Sequence, residues 1–233
     1  MLSAVLWAGL AASTLLIGAV LGTFFNVPRR VVGLVMGFGA GALIASVSFE
    51  LTEDAFSLGG GVPVALGLAL GGLVFFLGDT AIDRLGPTNE RGDSGLALLL
   101  GAVLDGIPES LIIGLSLTRG SVEIAFLASV AVSNLPEGFA SSADEREAGV
   151  PTRTILLRWV SVVIVSAIFG GIGYAAAADL SASAVAFTEA FAAGALLTMV
   201  IDSMAPEAYR DSGALTGLSA VAGYAFAYFL SSP

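Results

Sequence analysis

Long apolar runs separated by short polar breaks dominate the chain. Runs of about 20 apolar residues have the length with which an α-helix crosses a bilayer, and the breaks are rich in Gly, Pro, Asn and Asp, which end helices. The pattern therefore predicts an all-α integral membrane protein with about eight transmembrane helices. The predicted helices cover about residues 3–25, 31–56, 62–83, 95–117, 121–143, 153–177, 184–208 and 213–231.

The connections between these runs are short, so the pattern gives no sign of a separate soluble domain. We interpret residues 1–233 as one transmembrane domain. Helices 1–3 cover about 3–83, the central helices 4 and 5 cover about 95–143, and helices 6–8 cover about 153–231.

Helices 2 and 7 share a sequence pattern. The run from Gly37 to Val47, followed by Asp54, matches the run from Ala190 to Val200, followed by Glu207, at a constant offset of 153 residues. The two copies start on opposite sides of the membrane, because an odd number of predicted helices separates them. This predicts a 3+2+3 inverted-repeat arrangement of the kind found in secondary transporters. The alternative is a small-residue packing motif that two helices happen to share.

Arginines set the expected orientation. Loops after odd-numbered helices hold nearly all of them, and cytoplasmic loops carry the excess of positive charge. We therefore expect a multi-pass protein of the cell (plasma) membrane with both termini outside. The arginines on the expected inner side are Arg29, Arg30, Arg84, Arg91, Arg146, Arg153, Arg158 and Arg210, and Arg119 is on the other side.

Composition agrees with a membrane protein and narrows the chemistry. Of the 233 residues 56% are hydrophobic and 12% charged, against about 25% charged in soluble domains, and the mean hydropathy is +0.94. Cysteine and histidine are absent, which excludes disulfides and thiolate or imidazole ligands. The net charge of −10 argues against nucleic acid as a partner.

Two motifs place carboxylates deep in apolar segments. Asp105 and Glu109 in helix 4 are spaced i, i+4, and Ser133 and Glu137 in helix 5 have the same spacing. A charged residue at that depth costs roughly 2.5–3.5 kcal/mol on insertion scales, so it usually marks an ion or proton pathway. A proline precedes each glutamate and cannot donate to the carbonyl four residues back, which leaves backbone oxygens for a cation.

An all-oxygen ligand set is therefore expected between helices 4 and 5. Such a set favours Mn, Mg, Ca or Fe(II) over Zn relative to a site with histidine, although Zn or Cd also binds it when available. Since three ionised carboxylates repel one another without a cation, we expect protons to exchange with the metal. The candidate metal ligands are Asp105, Glu109, Ser133, Asn134 and Glu137.

Further acidic residues are candidates for the pathway. Glu50, Glu53 and Asp54 are candidate entrance ligands, with a solvated helix end as the alternative. Asp79, late in helix 3, is a candidate for the exit path, and Asp202 in helix 7 is a candidate for the pathway or a second site. The segment 145–147, with sequence Glu-Arg-Glu, is predicted to be a solvated loop.

The two motifs resemble those of the ZIP (Zrt/Irt-like) metal transporters. Ser-Asn-Leu-Pro-Glu-Gly at 133–138 matches the helix 5 motif His-Asn-x-Pro-Glu-Gly except at its first position, and Asp-Gly-Ile-Pro-Glu-Ser at 105–110 is a looser match in helix 4. The resemblance covers nearly the whole chain. It implies uptake of a divalent metal of the Zn, Fe, Mn or Cd class into the cytoplasm, with the ion as substrate, no cofactor, and a homodimer in the lipid bilayer.

The resemblance to the ZIP family implies roles for the motif residues, and it also shows where this sequence departs from the family pattern. Asp105 stands where a ligating His is usual, Glu109 and Glu137 stand at the motif glutamates, and Asn134 matches the motif Asn. Gly106 replaces the helix 4 Asn, and the stretch of helix 6 that carries a Glu in many members has no acid at 161–166, which leaves one metal site.

Two other functions stay open from the sequence. One is a non-transporting ZIP-like metal sensor or structural membrane protein, because both motif histidines are replaced. The other is an intramembrane acid-dependent protease that uses paired carboxylates. The chain has no Ser/His/Asp set and no nucleotide motif, so we expect no enzyme. The sequence does not fix the direction of transport.

Overall fold

The computed structural model describes residues 1–84, 94–120, 124–177 and 180–231. All secondary structure in these ranges is helical, and helices occupy each of the segments that the apolar pattern predicts. Arg91 and the expected start of helix 5 at about 121 lie outside the described residues. The helices are α1 Leu2–Phe24, α2 Arg29–Gly59, α3 Gly61–Asp83, α4 Ser94–Ser116, α5 Ile124–Glu147, α6 Thr152–Ala177, α7 Ala182–Ser212 and α8 Leu215–Ser231.

Six of the described helices are long and apolar enough to span a membrane, judged by length and composition. They are α1, α2, α3 up to Ile82, α5, α6 and α7. Helix α4 has 23 residues, and α8 is a shorter apolar helix of 17 residues. The count of eight spans stays a prediction.

Helices α2 and α7 both change from α-helical to π-helical winding part-way along. The π segments are Val47–Thr52 in α2 and Val200–Met204 in α7, and they begin 153 residues apart. Both helices end before a glycine with positive φ, 76° at Gly60 and 65° at Gly213, a conformation that suits glycine because it has no Cβ. The apolar pattern predicts a helix over 31–56 and over 184–208 but does not reveal the π segments inside them.

The helices pack most closely within two bundles. In the first bundle α1 packs on α5 and α6, and α6 packs on α4; in the second bundle α3 packs on α7, and α2 packs on α8 and on the end of α7. The bundles meet chiefly where α2 lies against α5 and where α7 lies against α4. The candidate motif helices α4 and α5 thus both belong to the first bundle and face the second.

Glycines allow the closest of these contacts. A Cβ at Gly18 of α1 would lie 2.1 Å from the carbonyl oxygen of Leu135, and a Cβ at Gly138 of α5 would lie 2.2 Å from the carbonyl oxygen of Leu15. The two backbones therefore approach each other at the level of the helix 5 motif, as small residues permit in membrane proteins. This close packing fixes the position of α5 within the first bundle.

The largest cluster of buried apolar side chains lies at the boundary between the bundles. It takes Val32, Met36 and Leu43 from α2, Ala140 from α5 and Leu196 from α7, with further residues from other helices. The core is thus shared by helices that are far apart in sequence, and the candidate site lies beside it.

Candidate ion site between α4 and α5

Both prolines of the motifs lie inside continuous helices, Pro108 in α4 and Pro136 in α5. Because proline has no N–H, the i to i−4 hydrogen bond to Leu104 in α4 and to Val132 in α5 cannot form. These backbone carbonyls are thus available to other donors or to a cation, as the sequence predicts.

Glu109 and Asn134 are the most buried polar pair of the site. Their residues are 4% and 3% exposed, and the Asn134 amide interacts with the Glu109 carboxyl group. This interaction links α4 and α5 close to the two prolines. A neutral amide can donate to the carboxyl group but brings no compensating charge.

Asp105 and Glu137 lie close to this pair. Both residues are half-buried, and Asp105 interacts electrostatically with Glu109 and with Glu137, while Glu109 interacts with Glu137. The structure therefore brings the three predicted carboxylates and Asn134 into one electrostatic neighbourhood at the facing sides of α4 and α5.

Ser133 is placed differently from the other candidates. Its hydroxyl donates to the carbonyl oxygen of Val130 at 2.9 Å, within its own helix. The residue is 1% exposed and lies against Gly39 of α2, where a Cβ would come 2.7 Å from the Ser133 Cα. Ser133 is therefore at the contact between the two bundles.

The candidate pathway residues differ in burial and in the groups that they contact. Asp79 of α3 is half-buried and interacts electrostatically with Asp105, which brings it next to the site. Glu50 is buried in the π segment of α2 and accepts a hydrogen bond of 2.6 Å from the Ser231 hydroxyl. Asp54 is half-buried, whereas Glu53 and Asp202 are exposed.

Glu207 near the end of α7 is a neighbour of the site that the sequence analysis does not select. It is half-buried and interacts electrostatically with Glu137. The repeat offers a signal for it, because Glu207 stands at the position that corresponds to the pathway candidate Asp54.

The acids of the site are not drawn together around a single point. Among the residues that the structure describes, no three acidic side chains come close enough together to hold one metal ion. The site consists instead of the buried pair Glu109 and Asn134 with further carboxylates around it.

One end of the molecule carries a network of arginines and acids, which we call the arginine end. Its members are Arg29, Asp144, Glu145, Arg158, Glu207, Arg210 and Asp211. Arg29 pairs with Asp144, Arg158 pairs with Glu145, and Arg210 pairs with Glu207 at 3.0 Å. The prediction of a solvated loop over 145–147 is wrong, because these residues form the end of α5. Glu145 is also buried, at 5% exposed, because the last turns of α5 pack against α6 and keep its carboxylate on Arg158.

The chain is similar to one curated protein of a flowering plant. It is 27% identical over 212 residues to a protein of Arabidopsis thaliana named "putative zinc transporter", and the match covers 87% of the chain. The match covers 34% of that protein, so the chain spans about a third of the length of the curated relative it matches. No protein-family model matches the chain.

Together with the six apolar spans, this similarity decides the broad class. The chain is a multi-pass membrane protein. The similarity also supports a metal-transporter family, since the matched region contains most of the helices described above.

Proposed function

We propose that the protein moves a divalent metal ion of the Zn, Fe, Mn or Cd class across the membrane into the cytoplasm. The observation that carries the proposal is the burial of Glu109 and Asn134 on the facing helices α4 and α5, with Asp105 and Glu137 in electrostatic contact around them. Buried acids on facing helices are expensive unless a cation or proton neutralises them. The zinc-transporter name of the Arabidopsis relative supports the same class of substrate.

The donor set fits a divalent cation as cargo. Asp105, Glu109 and Glu137 supply carboxylate oxygens, Asn134 supplies an amide oxygen, and the prolines leave backbone carbonyls open. Such oxygen sites accept Mn and Fe(II) readily and bind Zn or Cd by the general affinity order. Repulsion between the carboxylates favours a cation among them, and an entering cation draws them together.

The two bundles supply a mechanism for transport. We infer eight spans in a 3+2+3 inverted arrangement, which the shared offset of the π segments and terminal glycines supports. The first bundle carries the ion on α4 and α5, and its movement against the second bundle opens the site to each side in turn. The ZIP resemblance further implies a homodimer of the plasma membrane with both termini outside.

Metal flux into liposomes that contain the purified protein tests the function. We expect flux of at least one ion among Mn, Fe(II), Zn and Cd in the parent protein, and loss of that flux in Glu109→Gln and in Glu137→Gln. Each change keeps the size of the side chain and removes its charge. The matched control is Glu147→Gln, the same change at an exposed residue at the end of α5, which retains parental flux.

The outcome separates the proposal from its rivals. Tight metal binding with no flux of any ion identifies a sensor or structural protein and refutes transport. Cleavage of a membrane substrate that Asp105→Asn abolishes identifies a protease instead. Flux that persists in both glutamate variants means that the ion passes elsewhere in the molecule.

A further inference from the structure

We propose that Arg29 is a two-position latch at the arginine end, joined to Asp144 when that end of the molecule is closed and to Asp211 when it opens. The latch deepens the proposed function, and its use in transport rests on that function. It concerns the boundary between the two bundles and not the ion site itself.

The first position of the latch is the ion pair seen in the structure. Arg29 begins α2 in the second bundle, and Asp144 lies near the end of α5 in the first bundle, so their pairing ties the two bundles together. Two other ion pairs of the arginine end act within one bundle. Arg158 and Glu145 join α6 to α5, and Arg210 and Glu207 both lie on α7.

The second position is an acceptor that is already in place. Asp211 lies in the last turn of α7, in the same bundle as Arg29, and its side chain is 9% exposed. Its Oδ1 is 3.6 Å from Nε of Arg210, while its buried Oδ2 has no hydrogen-bond partner in the part of the chain that the structure describes. A buried oxygen without a donor is costly, so a second cation donor is favoured there.

Arg29 is within reach of this acceptor. Gly33 follows Arg29 by one helical turn, on the same face of α2, and a Cβ at Gly33 would lie 2.7 Å from the Cβ of Asp211. Arg29 already interacts electrostatically with both Asp144 and Asp211. A rotation of the long arginine side chain therefore exchanges one aspartate for the other without unwinding a helix.

The two partners make the latch reversible. When the first bundle moves away, Arg29 loses Asp144 but gains the unoccupied oxygen of Asp211, so Arg29 stays paired while the exposed Asp144 is solvated. The closed pair is also weak, because Arg29 and Asp144 have side chains that are 40% and 49% exposed. Exposed ion pairs of this kind shift an equilibrium by about five-fold or less, which suits a gate that opens repeatedly.

A thiol introduced between the bundles reports the opening. The chain has no native cysteine, so Ala140→Cys supplies a single thiol. Ala140 is 1% exposed and packs in the cluster that contains Val32 and Met36 of α2. The measurement is the rate at which a hydrophilic methanethiosulfonate modifies this thiol in the full chain, in detergent and without metal.

The expected rates follow from the two positions. Asp144→Asn raises the rate about two- to five-fold because the closed pair is lost, whereas Arg29→Gln removes both pairs and gives a rate between those of Asp144→Asn and Asp211→Asn. Arg29→Lys stays within about two-fold of the parent because the charge is kept. Asp211→Asn lowers the rate about two- to five-fold, since the open state loses its acceptor. A static ion pair would leave the rate unchanged in Asp211→Asn.

The control is Arg146→Gln, which makes the same change at an arginine that bonds the carbonyl oxygen of Thr23 and the side chain of Asn26, outside the latch. We expect Arg146→Gln to leave the modification rate of the thiol unchanged. An unchanged rate in Asp144→Asn, or a parental or higher rate in Asp211→Asn, overturns the latch. The labelling experiment uses no metal, so it tests the latch separately from transport. The expected labelling rates without metal flux would support the latch and refute only the proposed transport function.

Discussion

Asn134 in α5 interacts with the carboxyl group of Glu109 in α4, and both residues are almost fully buried. The two helices make few other direct contacts, since each packs mainly on α1 or α6. The Asn134–Glu109 interaction is therefore one of the few links between the two motif helices.

Removal of Asn134 is expected to weaken both the fold and the site. Asn134→Ala leaves the buried Glu109 without its partner, which costs about 1–3 kcal/mol of stability. We also expect metal binding to weaken about ten-fold, because an oxygen ligand and the spacing of the helices are both lost. Thermal unfolding in detergent and titration calorimetry measure the two effects.

Ser48→Ala is the control for this change, because the exposed Ser48 hydroxyl donates to a carbonyl oxygen of its own helix, that of Ile44, at 2.7 Å. Its stability is expected within about 0.5 kcal/mol of the parent. A fully stable Asn134→Ala protein would show that the interaction with Glu109 contributes nothing.

Replacement of Pro136 is expected to maintain or raise the stability of the protein and to slow metal flux. Pro136→Ala restores an N–H that bonds the carbonyl oxygen of Val132, which removes a helix defect of about 3 kcal/mol or less. The same bond takes that oxygen away from the cation, so we expect slower metal flux in a protein that is at least as stable. Flux and melting temperature are measured on the same preparation, and unchanged flux would mean that the Val132 carbonyl does not meet the ion.

A methyl group at Gly41 is expected to force α2 and α8 apart. A Cβ there would lie 1.8 Å from the carbonyl oxygen of Ala220, so Gly41→Ala costs about 1–3 kcal/mol or more through overpacking. Gly217→Ala in α8 is the matched control, because a Cβ at Gly217 meets nothing within 4 Å. Melting temperatures in detergent compare the two variants, and an equal effect of both would exclude a packing cause.

Loss of charge at Glu145 is expected to destabilise the arginine end. The carboxylate is 4% exposed and pairs with Arg158, so Glu145→Gln leaves a partly buried arginine uncompensated at a cost of about 2–4 kcal/mol. Removal of both charges in Glu145→Met with Arg158→Met is expected to restore most of the stability. Chemical unfolding of the single and double variants gives the coupling, and a double variant as unstable as the single one would contradict this account.

The sequence by itself determined the helices and the pattern that α2 and α7 share. Helices of 17 residues or more follow from apolar runs and from breakers at their ends, so the expected bounds of the third helix at about 62–83 differ little from the observed Gly61–Asp83. The acids Asp105 and Glu109 share a helix face because of their spacing alone. These features are local, since they depend on residues within a few turns of one another.

Only the tertiary structure decided which distant residues meet. It placed Glu207 beside Glu137, turned Ser133 toward the α2 contact, buried Glu145 on Arg158 and paired Arg29 across the bundles. Each of these contacts joins different helices, and its distance depends on how close small residues such as Gly18 let the helices approach and how the helices are rotated. A hydropathy pattern fixes the length and face of each helix but not the neighbour that the face meets.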